Sequence, residues 1–209
     1  IGIVGIRGMV GSVLIKRMLK EQDLTGCRTY YFSPSQAGSP ISIDDTTHTL
    51  LNANDILQLQ KMHVIIATQG SQYTQKIHPQ LRKNNWQGYW IDAASYLRMS
   101  EKSIIILDPI NKTHIENGLK NGIKDFIGSN CTVSLMLMAI AGLTQQKLVK
   151  SIQAPPYQAI SGAGANAITE LYNQLKITSQ MVNGIQGLAL ANTLHQKLIS
   201  QKNQLPTMQ

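Results

Sequence analysis

The fold is decided by Gly5-Ile6-Arg7-Gly8-Met9-Val10-Gly11, which stands near the start of the chain. This glycine-rich turn closes a predicted strand at residues 1–6 and opens a predicted helix at residues 10–21. In such a turn one glycine permits the tight bend, a second lets the backbone approach a pyrophosphate, and a third allows helix and strand to pack closely. The N–H groups at the helix start can then bind phosphate. The spacing predicts a dinucleotide site, although a turn that only joins strand to helix has the same pattern.

The rest of the first half alternates short apolar runs with amphipathic segments. Further strands are predicted at residues 28–32, 63–68, 89–94, 104–107 and 126–127, with helices at 73–84 and 112–120 and a polar, turn-rich stretch at 33–49. Strands of continuous apolar residues that are separated by helices indicate a parallel sheet covered on both faces. We therefore predict a doubly wound, Rossmann-type α/β domain over residues 1–129.

The pattern changes after residue 129, where we predict the start of a second domain, residues 130–209. Residues 132–143 are predicted to form an apolar helix. Its run 133–143 is too short to span a bilayer and is predicted to be buried. Residues 149–160 are predicted to be extended, and Pro155 and Pro156 suit an edge or irregular strand. Two more helices are predicted at 165–175 and 187–201.

The residues that follow the second predicted strand bear on the choice of cofactor. An acidic residue there would bind the ribose 2′-OH of NAD, but this chain has Phe32-Ser33-Pro34-Ser35-Gln36. No carboxylate would repel a 2′-phosphate, Ser33 and Ser35 can donate to one, and Arg7 adds positive charge. The sequence predicts NADP, although serines that only cap a turn would look the same.

Cys131 stands where a predicted strand passes into the apolar helix, in Gly128-Ser129-Asn130-Cys131-Thr132-Val133. It is therefore expected at or near the N-terminus of that helix, with Ser129 or Asn130 as the cap. The partial positive charge and the N–H groups of a helix start favour a thiolate and can stabilise an oxyanion. Cys131 is the predicted nucleophile, and an inert buried thiol is the alternative. Cys27 lacks this context.

The composition favours small anionic partners. The net charge is +8, but the Lys and Arg residues are scattered and are not interleaved with aromatic residues, so no nucleic-acid partner is predicted. Two cysteines in 209 residues suit a reducing compartment, and no basic, apolar leader suggests secretion. The protein is therefore expected in the cytoplasm, with no membrane partner and no metal site.

Four tracts resemble the aspartate-semialdehyde dehydrogenases of Gram-negative bacteria. They are residues 6–13 (IRGMVGSV), 87–95 (QGYWIDAAS), 128–138 (GSNCTVSLMLM) and 157–165 (YQAISGAGA). The likeness extends from residue 1 to about residue 175 and is looser beyond. The resemblance implies that NADPH reduces L-aspartyl 4-phosphate to L-aspartate 4-semialdehyde, with release of phosphate, in the synthesis of lysine, threonine, methionine and diaminopimelate.

The resemblance also implies roles for individual residues. Cys131 matches the nucleophile that carries the acyl group, and Gln158 matches a glutamine that orients the substrate near the sulfur. Arg98 matches an arginine that binds the substrate phosphate, and Asn130 lies in the same phosphate pocket. Combined with the glycine-rich turn, the predicted NADP contacts are Gly5, Arg7, Gly8, Met9, Val10, Gly11, Pro34, Ser35, Gln69, Ser161 and Gly162.

The resemblance implies as well that the family's acid/base histidine and a second arginine, for the substrate carboxylate, lie beyond the position of Gln209. Residues 130–209 are then the start of an α+β catalytic and dimerisation domain, and the complete protein is expected to be a homodimer. No catalytic role is predicted for the chain's own histidines, which are His48, His63, His78, His114 and His195. Two alternatives stay open: an incomplete chain that binds NADP with impaired turnover, and a related reductase of N-acetylglutamyl phosphate.

Overall fold

The structure of the protein, a computed structural model, describes residues 1–181. Its strands are β1 (Gly2–Val4), β2 (Tyr30–Ser33), β3 (Pro40–Ile43), β4 (Thr46–Thr49), β5 (Leu51–Asn52), β6 (Val64–Ala67), β7 (Tyr89–Asp92), β8 (Ser103–Ile106) and β9 (Asp125–Gly128). Seven of them form one parallel sheet in the order β5-β2-β1-β6-β7-β9-β8. The predicted doubly wound α/β fold is confirmed.

The helices are α1 (Met9–Lys20), α2 (Ile56–Leu59), α3 (Ser71–Lys83), α4 (Asp108–Lys120), α5 (Cys131–Ala139), α6 (Ala141–Gln145) and α7 (Ala165–Met181). Helix α4 begins four residues before its predicted start and is kinked at Asn111. The Asn111 amide explains the early start, because its Oδ1 accepts from the Leu107 N–H at 3.0 Å and its Nδ2 donates to the Ile105 carbonyl at 2.8 Å.

The sheet has an apolar layer on each face. Ile3 and Val4 are adjacent in β1 and both are fully buried, yet they belong to different clusters. Successive side chains of a strand point to opposite faces, so the two clusters cover the two sides of the sheet. The larger cluster contains Phe32 and Trp90, and the smaller contains Tyr31.

Two predictions, at residues 33–49 and 132–143, are corrected. Residues 33–49 are not only turns, because β3 and β4 pair as an antiparallel hairpin. Its turn, Asp44–Asp45, has positive φ at both residues (47° and 57°), which is the geometry that tight hairpins require. The predicted single buried helix at 132–143 is also wrong. It is two helices that meet at Ile140, and no residue of α5 or α6 is buried.

The chain divides into two compact units, Ile1–Gln153 and Ala154–Gln209. The predicted domain boundary near Ser129 stays a prediction. In the second unit a short 3-10 helix (Ile160–Ala163) precedes α7. The expected strand at 149–160 is wrong, since no residue of that range belongs to a strand. Helix α7 starts where predicted and continues past residue 175, whereas the predicted helix 187–201 lies outside the described residues.

None of the helices in residues 1–181 combines the length and the apolar character that a membrane span needs.

Candidate active site

A cavity of about 220 Å³ lies at the carboxyl end of β1, beside the end of β6. The chain runs from β1 to β2 on one side and reaches β6 on the other, so the strand order reverses at this point. Open α/β sheets bind their ligands at such a reversal. The cavity is lined by Gly5, Ile6, Arg7, Gly8, Ser33, Pro34, Ser35, Gln36 and Gln69. The structure thus brings six of the predicted NADP contacts together: Gly5, Arg7, Gly8, Pro34, Ser35 and Gln69.

Two glycines of the turn, Gly5 and Gly11, are required by geometry. Gly5 has φ +86°, and a Cβ there would lie 2.8 Å from the Oγ1 of Thr68 and 2.9 Å from the Oε1 of Gln69. A Cβ on Gly11 would lie 2.2 Å from the Gly5 carbonyl oxygen, so only glycine lets α1 approach β1 this closely. Gly8 is the N-cap of α1 and offers no side chain to the first turn of the helix. The predicted use of the third glycine in close packing is confirmed.

Met9, Val10 and Gly11 are not among the residues that line the cavity. Met9 and Val10 form the exposed first turn of α1, and Gly11 is buried behind them. The N–H groups of this turn point toward the N-terminal end of α1, as in every helix. The contacts of these three residues with NADP therefore stay a prediction.

Arg7 connects the glycine-rich turn to the segment that follows β2. Its guanidinium donates to the Oε1 of Gln36 and, at 2.5 Å, to the Pro40 carbonyl. The Ser33 Oγ accepts from the N–H of Gln36 at 3.2 Å, so this serine does cap a turn. Ser35 is exposed and lines the cavity. Sequence reasoning gave Gln36 no part here, because a glutamine in a turn carries no recognisable signal.

Cys131 is the first residue of α5, directly after β9. Asn130 is the N-cap, because its Oδ1 accepts from the Val133 N–H at 3.0 Å. Ser129 instead pairs with the hydroxyl of Ser134. The thiol of Cys131 is exposed, which removes the alternative of an inert buried cysteine. It lies at the positive end of the α5 dipole.

Arg98 reaches this same turn from the loop that follows β7. Its Nε donates to the Gly128 carbonyl at 2.9 Å and its Nη2 to the Ser129 carbonyl at 3.3 Å. The side chain is half-buried, and within residues 1–181 it forms no ion pair. A guanidinium has five N–H donors, so Arg98 retains donors and a full positive charge close to the start of α5.

The nucleotide cavity and the Cys131 turn lie at the same edge of the sheet. Gly5 follows β1, Gln69 follows β6 and Ser129 follows β9, and the carboxyl ends of parallel strands share one edge. Two hydroxyls also meet along this edge: the Oγ atoms of Ser71 and Ser95 are 3.2 Å apart. Ser71 begins α3 just after Gln69, and Ser95 belongs to the loop of Arg98.

The remaining predicted site residues belong to the second unit. Gln158 is exposed and precedes the 3-10 helix that contains Ser161 and Gly162. The Nε2 of Gln158 lies only 2.7 Å from the position that a Cβ on Gly162 would occupy. These three residues therefore belong to one turn, and Gly162 is the residue that leaves room for the glutamine amide.

A buried charge cluster between α3 and β9 was not anticipated. The Oδ1 of Asp125 accepts from the His78 Nε2 at 2.9 Å and from the Arg82 Nη2 at 2.5 Å. Burial raises the pKa of the Asp125 carboxyl, but the hydrogen bonds and positive charges of His78 and Arg82 outweigh it and hold that pKa below its usual range. His78 is thus a core residue with a carboxylate partner, consistent with the absence of a predicted catalytic role.

Comparison with known proteins identifies the domain. Residues 1–118 match the family model described as the NAD-binding domain of semialdehyde dehydrogenase. The structure is similar to aspartate semialdehyde dehydrogenase from Francisella tularensis, with 44% identity and a TM-score of 0.86 over 98% of this chain and 57% of that one. The chain therefore spans little more than half the length of that relative.

More distant structures share the fold. Aspartate semialdehyde dehydrogenase II from Vibrio cholerae is 21% identical, with a TM-score of 0.71 over 89% of this chain and 53% of that one. The Candida albicans enzyme, solved with NADP, is 13% identical, with a TM-score of 0.54 over 69% and 46%. The resemblance carried by the four sequence tracts is confirmed by the family match and by the Francisella structure. This chain belongs to the semialdehyde dehydrogenase family.

Proposed function

We propose that the protein catalyses the NADPH-dependent reduction of L-aspartyl 4-phosphate to L-aspartate 4-semialdehyde through a thioester on Cys131. One observation carries the proposal: the exposed Cys131 begins α5, and Arg98 is bound to the carbonyls of the turn before it. A nucleophile close to a cation that forms no ion pair within residues 1–181 suits the displacement of a phosphate group. The 44% identity to an aspartate semialdehyde dehydrogenase supports the choice of substrate.

In the first chemical step the Cys131 thiolate forms a C–S bond to the acyl carbon. The C–O bond to phosphate breaks, and the phosphate leaves with the electron pair. The positive end of α5 stabilises the charge that develops on the acyl oxygen. Arg98 receives the departing phosphate through the N–H groups that do not bind the Gly128 and Ser129 carbonyls, and Asn130 completes the phosphate pocket.

We propose that the cavity at the end of β1 holds the pyrophosphate and adenosine end of the cofactor. Gly5, Gly8 and the first turn of α1 would hold the pyrophosphate, and Ser35 and Arg7 would bind the 2′-phosphate. No aspartate or glutamate lines the cavity, which favours NADP over NAD. When bound, NADPH would supply the hydride that reduces the thioester, and Cys131 would leave as the thiolate when the aldehyde is released.

From the family resemblance we propose that Gln158 orients the substrate, and that Ser161 and Gly162 form the glycine-rich cofactor loop. The complete protein is proposed to be a cytoplasmic homodimer, in which residues 130–209 begin the catalytic and dimerisation domain. The product would serve the synthesis of lysine, threonine, methionine and diaminopimelate.

The reaction is tested most simply in reverse, with L-aspartate 4-semialdehyde, inorganic phosphate and NADP. We expect NADPH absorbance to increase only when phosphate is present, because phosphate must discharge the thioester. A parallel assay with N-acetylglutamate semialdehyde separates the two acyl-phosphate substrates. Higher activity with that second aldehyde would overturn the aspartate assignment. NADPH binding measured by fluorescence, with no phosphate-dependent turnover, would instead indicate a dinucleotide-binding protein without this activity.

A further inference from the structure

Asp92, the last residue of β7, carries a buried carboxylate that has no part in the chemistry described above. The residue is 1% exposed. Its Oδ2 accepts from the Thr74 hydroxyl at 2.6 Å and from the Trp90 indole N–H at 3.0 Å, and its Oδ1 accepts from the backbone N–H of Ala94 at 2.8 Å. All three partners donate, which matches the ionised carboxylate, an acceptor only.

The charge of Asp92 is balanced by hydrogen bonds alone. Within residues 1–181 it forms no ion pair. Burying a carboxylate is costly unless its oxygens are hydrogen-bonded, and an apolar side chain would suffice to fill this central position of the sheet. What the carboxylate adds is therefore its hydrogen bonds, and the one to Ala94 reaches the loop beyond the strand.

That loop leads directly to Arg98. The Ser95 carbonyl accepts from the backbone N–H of Arg98 at 3.0 Å, and the Ser95 hydroxyl pairs with Ser71 of α3. Helix α3 also supplies Thr74, so the same helix contacts both the carboxylate of Asp92 and the loop that it holds. The backbone conformation before Arg98 is set by these contacts.

The end of β7 also lies close to the turn before Cys131. A Cβ on Gly128 would lie 3.4 Å from the carbonyl oxygen of Asp92, so β7 and β9 end in close contact. Arg98 links the loop after β7 to this turn through its hydrogen bond to the Gly128 carbonyl. The loop held by Asp92 and the turn that presents Cys131 therefore form one assembly.

We propose that Asp92 is a positioning residue whose buried carboxylate, held by Thr74 and Trp90, fixes the loop of Arg98 relative to Cys131 and thereby sets the affinity of this site for phosphate. The proposal rests on the proposed function, since it requires that Arg98 binds the leaving phosphate. It adds a residue that touches neither substrate nor cofactor.

The test measures how fast iodoacetamide alkylates Cys131, with and without inorganic phosphate, in a Cys27→Ser background where Cys131 is the one remaining thiol. Asp92→Asn keeps the size, but its NH₂ group must face either the Ala94 N–H or the Trp90 indole N–H, so one of these donors loses its acceptor. We expect the phosphate concentration that halves the rate of Cys131 alkylation to rise about tenfold, a typical effect of losing a charge-assisted hydrogen bond.

Thr74 supplies a second variant with a matched control. Thr74→Val removes the hydroxyl that binds Asp92, so we expect it also to raise the phosphate concentration needed to protect Cys131. Thr74→Ser keeps the hydroxyl and should need the same phosphate concentration as the wild type. The dissociation constant for NADPH, whose cavity lies at β1 and β6, should be unchanged in all three variants. A purely structural role would instead lower the melting temperature and weaken NADPH and phosphate binding together, which would overturn the proposal.

Arg98→Ala separates this proposal from the proposed function. If phosphate protects the wild-type thiol and Arg98→Ala abolishes protection, while Asp92→Asn and Thr74→Val behave as wild type, the positioning role alone is overturned. If phosphate does not protect wild-type Cys131, the role of Arg98 in the proposed function fails, and the positioning role fails with it.

Discussion

The Nε of Arg98 lies 2.9 Å from the carbonyl oxygen of Gly128 and donates a hydrogen bond to it. This bond ties the loop after β7 to the turn after β9, so a cation and the Cys131 thiol are presented from neighbouring strands. A second bond, from Nη2 to Ser129, fixes the plane of the guanidinium. The guanidinium N–H groups that do not bind these carbonyls suit the phosphate that the proposed reaction releases.

Arg98→Lys should keep the charge at this site but lose the two simultaneous hydrogen bonds. We expect the KM for phosphate in the reverse reaction to rise about 30-fold, equivalent to about 2 kcal/mol, the order of a charged hydrogen bond. Arg28→Lys is the matched control, because Arg28 is exposed and lines neither the cavity nor the Cys131 turn. An unchanged KM for phosphate in Arg98→Lys would remove Arg98 from the site.

Ser35→Asp should reverse the preference of the cavity for NADP. A carboxylate at this exposed position would repel the 2′-phosphate and could accept from the ribose hydroxyls of NAD. We expect NADPH to bind at least about tenfold more weakly, since like charges at short range cost more than 1 kcal/mol, while NADH binding is retained or improved. Dissociation constants from fluorescence titration check this, with Ser151→Asp as a control outside the cavity. Equal affinity of the wild type for the two cofactors would contradict the selectivity argument.

Gly11→Ala should destabilise the domain through steric overlap. The new Cβ would meet the Gly5 carbonyl oxygen at 2.2 Å, so α1 has to move away from β1. Overpacking of this kind costs about 1–3 kcal/mol, and NADPH binding should weaken with it. Gly142→Ala, in helix α6, has open space around its Cβ and is expected to be neutral or slightly stabilising. Urea unfolding of both variants measures the difference, and equal stabilities would show that α1 tolerates the methyl group.

Asp125→Asn should remove a pH-dependent part of the stability. The folded pKa of Asp125 lies below its unfolded value, so its contribution is fully present above the unfolded pKa, about 4, and is lost as the pH falls through the folded pKa. At neutral pH we expect a loss of about 3 kcal/mol, since His78 and Arg82 lose a buried partner. The difference between variant and wild type should shrink in acid.

The control for Asp125 is the exposed pair Arg17–Glu21, with 3.1 Å between Nη2 and Oε1. Glu21→Gln should cost less than about 1 kcal/mol. The free energy of unfolding is measured against pH for both variants. A difference between Asp125→Asn and wild type that stays constant down to strongly acidic pH would contradict the assignment.

The sequence predicted the parts of this protein that depend on local backbone geometry. The glycine spacing gave the β1–α1 turn, because only glycine fits where a Cβ would overlap the Gly5 carbonyl. The transition from strand to helix at Cys131 was recognisable because Ser129 and Asn130, both good N-caps, precede an apolar helix. The sequence could not decide which of the two is the cap, because the choice depends on whether the Ser129 hydroxyl has another partner. Ser134 supplies that partner.

The parts that were missed depend on contacts between distant residues. Residues 33–49 were predicted only as a polar, turn-rich stretch, because the short β3–β4 hairpin within it has little hydrophobic alternation to reveal it. Sequence analysis gave no role to Asp92 or Asp125. Their partners on α3 lie 18 and 43–47 residues away, and no sequence spacing indicates those pairs. Helix α5 was expected to be buried from its apolar composition, yet Leu135 is 72% exposed.

The central claim, a thioester on Cys131, is tested most directly by peptide mass spectrometry of the protein after exposure to L-aspartyl 4-phosphate without NADPH. The acylation step needs no cofactor, so we expect an aspartyl adduct on the peptide that contains Cys131, removed by hydroxylamine and absent in Cys131→Ser. Cys27→Ser should form the same adduct. An adduct on Cys27 alone, or an unmodified Cys131 in protein that still turns over the substrate, would contradict the proposed mechanism.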